Sequence, residues 1–200
     1  MSQTKVLAIF DFDGTITKKD SFIEFIKYTH GSFSYWLGLG VLSPILILFA
    51  MKLLRNDKAK IFMFKYFYGG WEYSRFKKAG EDFCEKKLPE MIRKTAVKKI
   101  KSHQENGERI ILVTASGKEW VKPWSDKMGM EILSTEAEVK ENKITGKLSS
   151  ANCYGIEKVN RIKAILQIED YTTIYGYGDS RGDKEMLTLC QYPHYKYFND

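Results

Sequence analysis

The hydrophobic pattern changes period several times along the chain, and each change predicts an element. Residues 5–10, Lys-Val-Leu-Ala-Ile-Phe, form a short apolar run that stops at Asp11. A run of that length predicts a buried strand. Helical spacing rich in aromatics follows from about 20 to 67, and Gly69-Gly70 breaks it. Helix resumes over 71–85. Pro89 can open another helix that runs to His103 and closes at Asn106-Gly107. Residues 109–113 are a compact β-branched strand, 117–128 a helix and 131–133 a short strand. Alternation over 136–148 with a turn at Asn142 predicts a hairpin. An amphipathic helix over 156–168 precedes a strand at 171–177, a helix at 184–190 and a last strand at 192–198.

Three of these strands end in polar residues and lead into helices, which predicts a parallel α/β sheet. In such sheets ligands bind outside the carboxyl ends of the strands. The all-helical stretch 18–88 is too long for an ordinary crossover and reads as an inserted cap. The expected division is therefore a core of 1–17 and 89–200 with a cap of 18–88.

One segment departs from the soluble pattern. Residues 31–51 carry no charge, and 36–51 are almost wholly apolar. A single helix of that length would span roughly 30 Å, about a bilayer core. Gly38, Gly40 and Pro44 interrupt it, and Pro44 has no N–H to continue a helix through Ser43. Two short helices of a soluble cap are predicted, with an interfacial or re-entrant membrane contact, or a true span, as the alternatives. The basic residues that follow, Lys52, Arg55, Lys58, Lys60 and Lys65, read as a solvated helical face.

Composition narrows the function classes. The 200 residues are 44% hydrophobic and 28% charged, which excludes disorder, collagen and a multi-span membrane protein. A net charge of +7 favours an anionic partner: nucleic acid, an anionic membrane surface or a phosphorylated substrate. The lysines between 86 and 101 have the spacing of a solvated helix face, so nucleic acid is not expected, although a basic binding module is the non-enzymatic alternative. Cys84, Cys153 and Cys190 form no CxxC pair, which argues against a disulfide framework or zinc site and for a reducing compartment. The N-terminal run is too short for a signal peptide. A cytoplasmic protein is expected, with a peripheral position at the inner membrane face as the alternative.

The chemistry-bearing residues gather at the predicted strand ends. Asp11 and Asp13 flank Phe12 at the end of the first strand, followed by Gly14-Thr15. Two carboxylates this close repel unless a cation joins them. Thr114-Ala115-Ser116 ends the second strand, where hydroxyls and free N–H groups suit an anion. Thr114 and Ser116 compete for that role, and Thr114 sits nearer the strand end. Lys158 opens the helix at 156, where a lysine is ordinarily solvated. Gly178-Asp179-Ser180-Arg181-Gly182-Asp183 ends the third strand. Asp183 could also simply cap the next helix. Carboxylates, a hydroxyl and one lysine on a single rim suit Mg²⁺ and a phosphoryl group. A carboxylate there can attack phosphorus and form an aspartyl-phosphate.

Asp11-Phe12-Asp13-Gly14-Thr15, Thr114, Lys158 and Gly178-Asp179 with Asp183 resemble, in order and spacing, the four motifs of the haloacid dehalogenase-like phosphatases. The insertion after the first motif resembles the cap of subfamily IB, which contains the phosphoserine phosphatases. The resemblance implies a Rossmannoid core with a parallel sheet, an all-helical cap and Mg²⁺ as cofactor. It implies Asp11 as nucleophile and metal ligand, and Asp13 as general acid and base whose carbonyl also binds metal. It implies Thr114, Ala115 and Lys158 as the phosphate site, Asp179 as a metal ligand and Asp183 as a support behind it. Asp20 lies where those enzymes place an acid toward a substrate amine, but Ala115-Ser116 stands where they usually have two glycines. The uncharged run, Pro44 and the 153–158 segment are also similar to bacterial phosphatidylglycerophosphate phosphatases of the same subfamily. The expected reaction is Mg²⁺-dependent hydrolysis of a phosphomonoester, either a small molecule or a lipid phosphate. A phosphotransferase using the same intermediate is the alternative.

Overall fold

The structure is a computed structural model that describes residues 5–51, 53 and 56–200. Lys52 and Arg55 lie outside the described residues. Five strands make one parallel sheet: β1 (Val6–Phe10), β2 (Arg109–Gly117), β3 (Glu131–Thr135), β6 (Thr173–Gly178) and β7 (Tyr192–Tyr195). Their order across the sheet is β3-β2-β1-β6-β7. A separate antiparallel hairpin is formed by β4 (Ala137–Lys140) and β5 (Lys143–Leu148), with Glu141 and Asn142 at positive φ in its turn. The expected α/β class with a parallel sheet and a helical insertion after the first strand is the class observed.

The pleat divides the central strand between two cores. Leu7 and Ile9 of β1 join Ile111, Val113 and Ile174 under α7 (Ile156–Ile165) and α8 (Lys184–Leu187). Ala8 and Phe10 face the other way, toward α5 (Lys94–Glu105), α6 (Lys118–Lys127) and the insertion. Successive side chains of a strand point to opposite faces, so a strand covered by helices on both sides must be apolar throughout. That is why residues 6–10 show no alternation.

The insertion contains α1 (Ser21–Val41), α2 (Ser43–Ala50), α3 (Asn56–Tyr68) and α4 (Tyr73–Lys86). The carboxylate of Asp20 caps α1 by accepting the Ile23 N–H at 3.0 Å. Gly31, with φ 80° and ψ 157°, kinks α1, and a second break at Leu42 separates it from α2. Pro44 sits in the first turn of α2, where a missing N–H leaves no hydrogen bond unmade. The uncharged segment is thus broken into helices, as its proline predicts. Among the described residues no helix is long and apolar enough to cross a membrane.

The insertion is bound to the core side by packing and by backbone. Phe25 of α1 stacks on Trp120 of α6 with centroids 4.8 Å apart. Gly80 of α4 lies so close to α6 that a Cβ there would stand 2.5 Å from the Glu119 carbonyl oxygen. The hairpin adds backbone bonds: Gly70 N–H to Ile144 O at 2.7 Å and Tyr73 N–H to Asn142 O at 2.8 Å.

Several boundaries differ from the pattern. Pro89 opens only a 3₁₀ turn at Leu88–Glu90, and α5 begins separately at Lys94, capped by the distant carboxylate of Asp200. The expected strand at 109–113 continues to Gly117, because β3 goes on pairing with it across a register shift. The helices predicted to reach 168 and 190 end at Ile165 and Leu187, and the last strand ends at Tyr195. The lysines of α5 are a solvated face as read: Ala96, Ile100 and His103 are buried while Lys94, Lys98 and Lys101 are exposed.

Candidate active site

Sheet order reverses at β1, whose neighbours are β2 and β6. Chains diverge there, leaving a crevice at the carboxyl ends of the strands. Asp11 follows β1, and its N–H bonds the Tyr177 carbonyl of β6 at 2.9 Å. Thr114 lies in β2, and Asp179 follows β6. All three line one cleft of about 440 Å³, together with Asp13, Ala115, Lys158 and Asp183. The residues picked out in the sequence therefore share one cavity.

Lys158 is fully buried despite its place on an amphipathic helix. Its ammonium donates to Asp11 Oδ1 at 2.5 Å, Asp183 Oδ1 at 2.7 Å and the Val113 carbonyl at 2.8 Å. Three N–H donors meet three acceptors, so the charge is buried with no hydrogen bond missing. Burial alone would drive its proton off, but the carboxylates of Asp11 and Asp183 outweigh that and hold the amine above its ordinary range.

Asp183 is committed on both oxygens. Oδ1 receives Lys158, while Oδ2 accepts the Ser180 N–H at 2.9 Å and the Ser180 hydroxyl at 2.8 Å. Ser180 and Asp183 thereby cap each other across the turn, and the turn holds Asp179 at the rim. Burial raises the Asp183 carboxyl, but Lys158 and Ser180 prevail and keep it below its usual value. Capping and support of Lys158 are thus done by the same side chain.

Asp13 is held by the insertion and by β2 at once. Oδ1 accepts the Ser21 N–H of the first turn of α1 at 2.7 Å, and Oδ2 accepts the Ser116 hydroxyl. Ser116 in turn meets the Ser21 hydroxyl at 3.0 Å, which receives the Trp120 indole N–H at 3.0 Å. Thr114 plays a different part. Its Oγ1 accepts the Ser116 N–H at 3.0 Å, leaving its own proton to donate. The competition between the two hydroxyls ends in a division of labour.

The electrostatics are those of crowded carboxylates. Burial pushes Asp11 up to about 7, with Lys158 opposing and Asp183 and Asp13 adding to the rise. Burial and the Asp20 charge push Asp13 up to about 6 against Lys60, Ser116 and Ser21. Asp179 is also raised, by burial and by Asp183. Oxygens of Asp11, Asp179 and Asp183 can approach within 4.8 Å of one another. One ammonium among these carboxylates leaves negative charge over, and the donors are all hard oxygens, so the site fits a Mg²⁺-like cation. Gly14 makes this geometry accessible: at φ 81°, a Cβ on it would stand 2.2 Å from Asp179 Oδ2.

A family model of the haloacid dehalogenase-like hydrolases matches residues 8–188, from β1 to the helix after the last acidic motif. The chain belongs to the haloacid dehalogenase-like hydrolases. Protein CicA of Caulobacter vibrioides is 31% identical over 200 residues, covering 99% of this chain and 89% of that one. A crystal structure of a Bordetella pertussis protein of unknown function has a TM-score of 0.83 at 22% identity, covering 96% of this chain and 89% of its own. A phosphoserine phosphatase solved as a phospho-aspartyl intermediate analogue has a TM-score of 0.61 at 18% identity, covering 96% and 86%. These two share the fold with this hydrolase.

The site of this hydrolase also contains residues that the sequence alone did not single out as parts of it. Ser21, Trp120 and the Val113 carbonyl carried no local signal. Lys60 of α3, read as part of a solvated face, is half-buried at the cleft, and its ammonium reaches the Ala115 carbonyl at 2.9 Å. Asp20, matched in the sequence to an acid facing a substrate amine, is exposed at the cleft and spends Oδ1 on the cap of α1.

Proposed function

We infer that this protein is a Mg²⁺-dependent phosphomonoester hydrolase working through an aspartyl-phosphate on Asp11. The observation that carries the reading is the union of Asp11, Lys158 and Asp183 in one buried, hydrogen-bonded group lining the cleft. Lys158 draws on one carboxylate oxygen of Asp11 and fixes the orientation of the group. Asp11 attacks phosphorus, a new O–P bond forms and the bond to the leaving alcohol breaks. Asp13 donates the proton the departing oxygen needs, then takes one from the water that attacks the aspartyl-phosphate. A carboxyl raised to about 6 suits both duties near neutral pH. Release of phosphate returns Asp11 to its carboxylate.

Thr114, with its hydroxyl proton free to donate, and Ala115 bind the phosphoryl oxygens in this reading, and Lys158, its three N–H groups already engaged, adds its positive charge beside them. Asp11, Asp179 and the Asp13 carbonyl would hold the Mg²⁺, with Asp183 behind them. The ion would supply positive charge to the phosphoryl group. Residues 18–88 act as the cap that selects the substrate, over a catalytic core of 1–17 and 89–200. The neighbour solved as a phospho-aspartyl analogue supports the same intermediate here.

The test is release of inorganic phosphate by the pure protein with Mg²⁺, on a broad phosphomonoester panel that includes lipid phosphates in detergent. Turnover that vanishes on chelation and in Asp11→Asn is expected. Silence on the whole panel would sink the reading.

A further inference from the structure

The uncharged segment leaves an apolar surface that the cleft does not use. Phe33, Trp36, Leu37 and Val41 recur at helical spacing on α1, with Phe33 82% and Trp36 66% exposed. Tyr35, Gly38 and Leu42 form the buried side of the same stretch. On α2, Ile47, Leu48 and Met51 at its end are exposed in the same way. Soluble monomers scatter exposed apolar residues singly, and clusters of this kind mark contact surfaces.

Charge decides what the surface contacts. Residues 31–51 have none, and residues 52–65 carry five cations against the single acid Asp57. An apolar stripe with a tryptophan, on a chain whose net charge is +7, suits an anionic bilayer interface. A second copy of the chain matches it poorly. Two copies, each at +7, would repel as they approach. The surface also adjoins the cleft, whose wall includes Leu46 of α2 and Ala59 and Met63 of α3.

We propose that the exposed apolar stripes of α1 and α2 seat this protein on an anionic lipid bilayer, lying in the interface without spanning it. The surface is independent of the reaction assigned to the cleft. The test is co-sedimentation of the full chain with vesicles of phosphatidylcholine alone and of phosphatidylcholine mixed with phosphatidylserine. The double variant Phe33→Glu with Leu37→Glu and the single variant Ile47→Glu alter the face, and Ile165→Glu adds the same charge on α7 as a control. Hydrolysis of a soluble aryl phosphate and the thermal midpoint report whether each variant keeps its fold.

Wild type and the control should bind the anionic vesicles and release them as salt rises. The double variant should lose about tenfold in affinity, the order expected for charges placed in a buried apolar contact. Failure of the wild type to bind, or equal binding by all variants, overturns the proposal. Concentration-dependent dimerisation abolished by the double variant, without vesicle binding, also overturns it and gives the face to a second copy. Vesicle binding that follows the variants while no phosphate ester is cleaved upholds the surface and removes the hydrolase reading instead.

Discussion

Lys158 holds Asp11 at 2.5 Å across 147 residues of sequence, and both side chains are buried. The pair joins the first turn of α7 to the end of β1 and ties the two halves of the core to one charge. Removing one partner of such a pair leaves an uncompensated buried charge, at a cost of about 3–5 kcal/mol. Lys158→Met should therefore abolish hydrolysis and lower the thermal midpoint together. Lys158→Arg should restore neither, since a guanidinium does not fit a space built for three acceptors around one nitrogen. Calorimetry beside a phosphate-release assay checks both; an active Met variant would show that the pair is dispensable.

Gly14 faces Asp179 with no room for a side chain. Gly14→Ala should push the Asp179 carboxylate aside and strain a backbone held at φ 81°. If Asp179 holds Mg²⁺ as proposed, the Mg²⁺ concentration for half-maximal activity should rise by about tenfold or more, the usual cost of disturbing what orients a metal ligand. Gly40→Ala, with nothing within 4 Å of the added carbon, should leave the metal titration unchanged.

Ser116 donates to the Asp13 carboxylate and opposes the rise that burial imposes on it. Ser116→Ala removes that donor, so the Asp13 carboxyl should rise above its value of about 6. Carboxyl chemical shifts followed against pH in the metal-free protein measure this directly. The same variant should lose more in kcat than in KM if, as proposed, Asp13 carries the proton, because the lost bond orients Asp13 and leaves phosphate binding alone. A downward shift of the carboxyl would contradict the assignment.

His103 gives a pH signature outside the cleft. Its ring lies between Glu108 and the Tyr177 hydroxyl, which meets Nε2 at 3.0 Å. Burial pushes the ring below its ordinary value against the pull of Glu108. The unfolded chain then takes up the proton first as pH falls, beginning near the ordinary histidine value of about 6.5. The contribution of His103 is complete above that pH and declines below it. The difference in thermal midpoint between wild type and His103→Gln should be largest above neutrality and shrink as pH falls from about 7 to about 5. A constant difference would mean that the ring does not titrate on unfolding.

The sheet and the rim were legible because both follow local rules. A strand covered on two faces must be a short apolar run, and its carboxyl end must be polar where a ligand binds. Asp11, Thr114 and Asp179 could thus be located by reading where apolar runs stop. Pro44 likewise announced a helix break, because a missing N–H acts on its own turn.

What only the tertiary structure decided depends on partners far apart in the chain. By helical periodicity alone Lys158 reads like the solvated lysines of other helices; burial between Asp11, Asp183 and Val113 makes it different. Ser21 and Trp120 join the site because α1 and α6 are packed together there, and Lys60 because α3 reaches the end of β2. Strand ends also escaped the pattern, since β2 continues to Gly117 only while β3 pairs with it. The sequence by itself determined which polar residues could stand at the rim, through the places where apolar runs stop. Packing decided which of them are charged, buried and aimed at the same few ångströms, because those properties belong to the space between elements.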